Sequence, residues 1–199
     1  MSRWVNPQHV HSITRDLKGI ALLVGAMLIV FLLDRFLVLE TFGLVPRRLS
    51  GLTGIIAMPF LHKDWTHLTG NLIPLVITLV ALARTQANTV AIVLLITLLS
   101  GVLLWLFGRS ALHIGASALV FGLLAFLVAI ALFEKKPLFV VIALCVGFLY
   151  GGAFLRGIMP FQTGVSWEGH LFGAISGAIV ALLITQDNRL SAQRETRRQ

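Results

Sequence analysis

Four polar side chains in an otherwise apolar sequence have the types and spacing that acyl-transfer chemistry needs: His67, Asn71, Ser117 and His170. A serine hydroxyl is a weak nucleophile until an adjacent base takes its proton. A neutral histidine can accept that proton and later deliver it to a leaving amine. Negative charge developing on an attacked carbonyl oxygen needs preorganised donors. His67 and Asn71 lie four apart in HLTGNLIPL, so a helix presents both on one face. With backbone N–H groups at a helix start, they can supply those donors. Ser117 lies in HIGASALVFG and His170 in WEGHLFGAISG. Taken singly, each of the four could equally do no more than bond a neighbouring helix.

The elements that must position them are membrane helices. Of the 199 residues, 57% are hydrophobic and 12% charged, and mean hydropathy is +0.92. A soluble domain of this size needs a larger charged surface. A spanning helix needs roughly 20 mostly apolar residues, and six runs qualify, at about 19–39, 67–84, 88–108, 115–133, 137–156 and 168–185. The fold class is therefore an all-α membrane protein with six spans. The chain divides into an amino-terminal segment 1–18, a membrane domain 19–185 and a basic tail 186–199. The first run is too long for a signal-peptide core and is read as a retained helix.

With the amino terminus inside, six spans bring the carboxyl terminus inside as well. Ten of the sixteen Lys and Arg residues then fall on the inner side, in the direction of the positive-inside rule. That distribution explains the net charge of +8 without a nucleic-acid partner. The tail is expected to be unstructured and to touch anionic lipid. On this topology the second, fourth and sixth spans all start on the outer side, which places His67, Ser117 and His170 at one depth. Polar residues inside spans are costly, so a shared depth calls for a shared explanation.

Two links carry more than turns. Residues 40–66 hold Gly43, Pro46, Gly51, Gly54 and Pro59 among apolar residues, as expected for an amphipathic piece lying in the outer interface. The link at about 157–167 is either a flap over a cavity or a plain connection. Gly147 with Gly151, and Gly173 with Gly177, form small-xxx-small pairs that predict close helix contacts, and Gly115, Ala116, Ala118 and Gly122 offer a third small face. Pro74 is expected to kink the second span, and Trp105 to pack against lipid or core. His113 is expected to cap a turn or touch the site. Glu168, two residues before His170, points away from it on a helix. Asp34 and Glu40 belong at the interface without catalytic duty. No cluster has metal-ligand spacing; His62 and His67, five apart, suit one-face chelation poorly.

The pattern H-x-x-x-N, then G-x-S, then H-x-x-G-x-x-x-G resembles the rhomboid family of intramembrane serine proteases over about residues 62–177. The resemblance implies a six-helix rhomboid-like bundle with a catalytic dyad of Ser117 and His170. It implies an oxyanion hole from His67, Asn71 and the backbone N–H of Ser117, whose approach includes Gly115. His62 matches a histidine of structural or water-network role. Phe121 matches the aromatic position that stacks on the catalytic histidine. Gly173 and Gly177 match glycines that let the sixth span press on the fourth. Two departures stand out. Ala118 occupies the place of a second glycine after the serine, where its methyl would crowd the site or alter the helix start. In the first loop Arg47–Arg48 and Trp65 stand instead of the family's Trp-Arg pair.

The implied function is hydrolysis of peptide bonds in or near transmembrane segments of single-span or polytopic membrane proteins, with no cofactor. The expected setting is a bilayer, as a multi-pass protein of a bacterial inner membrane with both termini cytoplasmic. Two other readings remain: an inactive rhomboid-like protein that binds transmembrane clients, and a small transporter or channel. The second would commonly show two related halves with broken helices, which this sequence lacks.

Overall fold

A computed structural model describes residues 13–85, 88–160 and 164–197. Six long helices follow the six apolar runs: α1 (Ile13–Leu37), α3 (Trp65–Thr85), α4 (Thr89–Phe107), α5 (Ser117–Glu134), α6 (Pro137–Gly157) and α7 (Trp167–Thr196). All six are long and apolar enough to cross a membrane. Among the described residues there is no strand, only an isolated bridge between Leu44 and His113. The fold is an all-α membrane bundle.

Local chemistry sets the helix starts. Asp64 Oδ1 accepts the backbone N–H of His67 at 2.8 Å and caps α3. Asn88 does the same for α4 through Ala91 N, and Ser166 for α7 through Gly169 N. Pro137 opens α6, where a missing N–H costs nothing. α5 has no side-chain cap; its N-cap is Ala116.

Two boundaries differ from expectation. α1 is already helical at Ile13, the first described residue, ahead of the expected start near residue 19; residues 1–12 lie outside the described residues. α7 runs on to Thr196, so the expected unstructured tail is helical to that point. Hydropathy ends the span near Thr185, but Leu, Ala, Gln, Arg and Glu continue to favour helix. Arg189 holds the extension by donating to Phe133 O at 3.2 Å.

The link ahead of α3 is a compact scaffold of short turns (Leu39–Phe42, Leu49–Gly51, Met58–Phe60) and a helical turn, α2 (Gly54–Ala57). Leu49, Leu52 and Ile56 are exposed, as an interfacial piece requires. Its other side clasps the segment leading to α5. Leu44 and His113 exchange backbone hydrogen bonds at 3.0 and 2.8 Å, and Gly115 N donates to Met58 O at 2.9 Å. Arg47, at φ 57°, donates to Leu106 O and Gly108 O at the end of α4. Trp105 does more than pack: its Nε1–H donates to Arg48 O at 2.9 Å. Asp34 Oδ1 accepts from Glu40 N at 2.9 Å and so shapes the turn after α1.

The most extensive helix pairing is α5 on α7. A Cβ at Gly173 would collide with Ala118 O, and one at Gly177 with Gly122 O. These positions need glycine because backbone meets backbone. At Gly147 and Gly151 a Cβ would meet nothing within 4 Å, so this pair makes no close contact among the described residues, contrary to expectation.

Candidate active site

The starts of α3, α5 and α7 surround a cavity of about 1180 Å³. His67, Asn71, Ser117, Phe121 and His170 all line it. Its lining also includes the charged Lys63, Asp64, Arg109 and Arg156 and the apolar or aromatic Ile73, Pro74, Tyr150 and Phe154. Four polar residues separated by up to about a hundred positions in sequence thus share one space, which only alternating spans can arrange.

The His170 ring is buried and held by two contacts. Its Nδ1 lies 2.8 Å from Gly157 O. A carbonyl can only accept, so Nδ1 carries the hydrogen and Nε2 is left with its lone pair. The ring stacks on Phe121, with centroids 4.0 Å apart and planes 9° from parallel. Phe121 stacks in turn on Phe154 at 5.1 Å. A Cβ at Gly157 would collide with the Phe121 ring and lie 3.0 Å from His170 Nδ1. Gly157 occupies the place where a carboxylate would complete a triad. Sequence reading missed it, because every residue has a carbonyl and no residue type betrays its use.

Ser117 is the first residue of α5, partly exposed to the cavity. Ahead of it Gly115 adopts φ 108°, a region that disfavours a side chain. A Cβ there would also sit 2.5 Å from His67 Nε2 and 3.7 Å from Asn71 Nδ2. His67 and Asn71 therefore close over the turn that leads into Ser117. Asn71 Nδ2 donates to His67 O at 2.8 Å, which leaves its second hydrogen available.

His62 stays outside the cavity lining and braces this turn from behind. Its Nδ1 faces Phe60 O at 3.4 Å, and its Nε2 accepts Ala116 N–H at 3.3 Å. Burial, then the nearby His67, lowers its pKa to about 4. That suits an imidazole whose Nε2 must stay an acceptor. Ala118 is not among the residues that line the cavity. It is buried with Leu44, Met58 and Leu104 on the side facing the first loop.

His113 does both things expected of it: it lines the cavity and holds the turn, with ring nitrogens 2.6 Å from Ser166 Oγ and 3.2 Å from Arg109 O. Burial lowers its pKa. Glu168 points away from His170, toward Arg109 Nε at 3.3 Å. In the link before α7, Gly164, Val165 and Ser166 line the cavity; residues 161–163, the middle of the expected flap, lie outside the described residues. Among the described residues no three His, Cys, Asp or Glu side chains group closely enough to hold a metal ion.

The family model described as "Rhomboid domain" matches residues 49–187. Curated relatives agree in covering most of the chain. An uncharacterized protein of Mycobacterium tuberculosis is 41% identical over 165 residues, which is 76% of this chain and 67% of the relative. The corresponding protein of Mycobacterium bovis gives the same figures. One from Mycobacterium leprae is 40% identical over 149 residues, 69% of this chain and 58% of its own length.

Proposed function

The chain belongs to the rhomboid family, and from that premise we propose that it is an intramembrane serine protease with Ser117 as nucleophile and His170 as general base. The observation that carries the reading is the state of His170: Nδ1–H is spent on Gly157 O, so Nε2 is the free base in the cavity that Ser117 also lines.

Ser117 Oγ attacks the scissile carbonyl carbon while its proton passes to His170 Nε2. The carbonyl oxygen becomes an oxyanion. The second hydrogen of Asn71, His67 and the Ser117 backbone N–H, unpaired at the start of α5, stabilise it. Collapse expels the amine, which takes the proton from His170, and leaves an acyl group on Ser117. Water then gives its proton to His170 and attacks the acyl carbon, and Ser117 leaves with that proton. The Gly157 carbonyl orients the imidazole without a carboxylate, and the Phe121 face fixes its plane.

The substrates are membrane proteins cut in or near a transmembrane segment. A helical segment must unwind to present a carbonyl, so helix-destabilising residues near the cut are favoured. We place both termini in the cytoplasm of a bacterial cell, which turns the cavity to the outer face.

Co-expression with a panel of single-span reporters tests the reading. Wild type is expected to release a cleaved product, while Ser117→Ala and His170→Ala do not. Continued cleavage by both variants would remove Ser117 and His170 from the reaction. Failure of folded wild type to cleave any reporter, or to react with a fluorophosphonate probe, would leave a rhomboid that only binds clients.

A further inference from the structure

Arg109 and Glu168 form an ion pair close to the reacting groups, yet neither takes part in the mechanism above. We propose that they are positioning residues: the pair locks the first turn of α7 to the segment leading into Ser117, and so keeps His170 in reacting register with the nucleophile. This rests on the reading of Ser117 and His170 given above.

Two parallel links join segment 109–113 to segment 165–169. In the first, Arg109 Nε meets Glu168 Oε1 at 3.3 Å, and Nη2 of the same guanidinium donates to Val165 O at 2.6 Å. One rigid fork thus grips both the backbone entering α7 and a side chain in its first turn. The second link is a directed chain. Gly169 N–H donates to Ser166 Oγ at 3.3 Å. Since Arg109 O must accept from His113 Nε2–H, His113 Nδ1 accepts from Ser166 O–H at 2.6 Å.

The placement favours control of geometry. Arg109 and His113 stand shortly before Ser117 in sequence, and Glu168 two residues before His170. Residues advance about 100° around a helix, so Glu168 lies on roughly the opposite face of α7 from His170. The pair therefore sets the rotation and height of that turn from behind. His170 needs this second hold because its other anchor, Gly157 O, ends α6, the helix least buried in the bundle.

Stability alone accounts poorly for the pair. The Glu168 side chain is 6% exposed, and its Oε2 is buried without a hydrogen-bond partner among the described residues. Its partner is half in water, with the Arg109 side chain 46% exposed, and an ion pair so screened contributes little to stability. Its place beside the cavity fits a demand for orientation.

The test uses full-length protein and a single-span reporter, reading kcat, KM, the fluorophosphonate labelling rate and Tm. Glu168→Gln and Arg109→Gln are each expected to lower kcat and labelling about 100-fold, with KM changed by no more than about twofold. The double variant should be no worse than either single one. Arg109→Lys keeps the charge but not the fork, and should fall between wild type and Arg109→Gln. Effects that multiply in the double variant, an unchanged kcat, or losses that only track a fall in Tm or failure to fold would overturn the proposal. Loss of labelling in Ser117→Ala, seen alongside an unchanged Glu168→Gln, would sink the positioning role and leave the nucleophile standing. Wild type that neither labels nor cleaves would sink both.

Discussion

Two glycine pairs with the same four-residue spacing, one in α6 and one in α7, meet opposite surroundings. Gly173 and Gly177 bring the α7 backbone against Ala118 O and Gly122 O. Gly147 and Gly151 face open space. The helices that carry them differ in the same way: 56% of the α7 span is buried, but only 11% of the α6 span. Ser117 and His170 thus ride on a backbone-to-backbone joint that cannot slide without collision. The Gly157 carbonyl that bonds His170 Nδ1 comes from α6, which has little packing within the bundle among the described residues. Close packing is concentrated on the helices that carry Ser117 and His170, and the looser packing lies on the α6 side of the cavity, with Tyr150 and Phe154.

The sharpest way to break this comparison is Gly177→Val. Its side chain would meet the Gly122 backbone, which cannot move aside as a side chain would. A loss of about 3 kcal/mol or more is expected, read as a large fall in Tm with loss of cleavage. An unchanged Tm would mean that the joint is not rigid.

The rigid side also carries a pH signature. His62 has a folded pKa of about 4, below the usual 6.5. Above about pH 6.5 it is neutral in both states and has no effect. As pH falls toward 4, the unfolded chain takes up a proton that the folded protein refuses, so stability declines, by on the order of 3 kcal/mol in total. Below 4 this residue adds no further loss. His62→Gln should flatten the slope of Tm between pH 6.5 and 4; a slope equal to wild type would dismiss His62 as its source.

Gly115→Ala comes next. The φ of 108° costs an alanine about 1–3 kcal/mol, and the new methyl would displace His67. Cleavage should fall at least about tenfold, with a smaller change in Tm than for Gly177→Val. Equal losses in both quantities would show a folding defect rather than a disturbed site. The smallest effect belongs to the loose side. Gly151→Ala should leave cleavage unchanged and raise stability by up to about 1 kcal/mol through helix propensity alone. A destabilised Gly151→Ala would reveal a close neighbour of α6, such as a second copy of the chain.

Much of the fold is legible because hydropathy is a local property. The six runs near residues 19–39 through 168–185 reappear as helices, and what escapes is the near end of α1 and the far end of α7, where helix runs beyond the apolar stretch. The polar set His67, Asn71, Ser117 and His170 is legible because each is costly in a bilayer and its chemistry is written in its type. The Gly157 carbonyl and the Arg109 fork are not legible. A backbone oxygen has no residue signature, and an arginine at the end of a link looks like any interfacial cation. Trp105 packs against the core as expected, but its second role was hidden for a similar reason: the indole nitrogen finds Arg48 O only once the first loop has folded back.

By itself the sequence determined that the chain lives in a membrane, how many helices it sends across, and which polar side chains it must hide there, since all of these follow from residue chemistry within one helical segment. Only the tertiary structure decided which glycine pair became a joint, which nitrogen of His170 keeps its proton, and that Ala118 turns its methyl away from the cavity. Those outcomes depend on atoms brought in from distant parts of the chain, and their identity is settled by contact rather than by spacing.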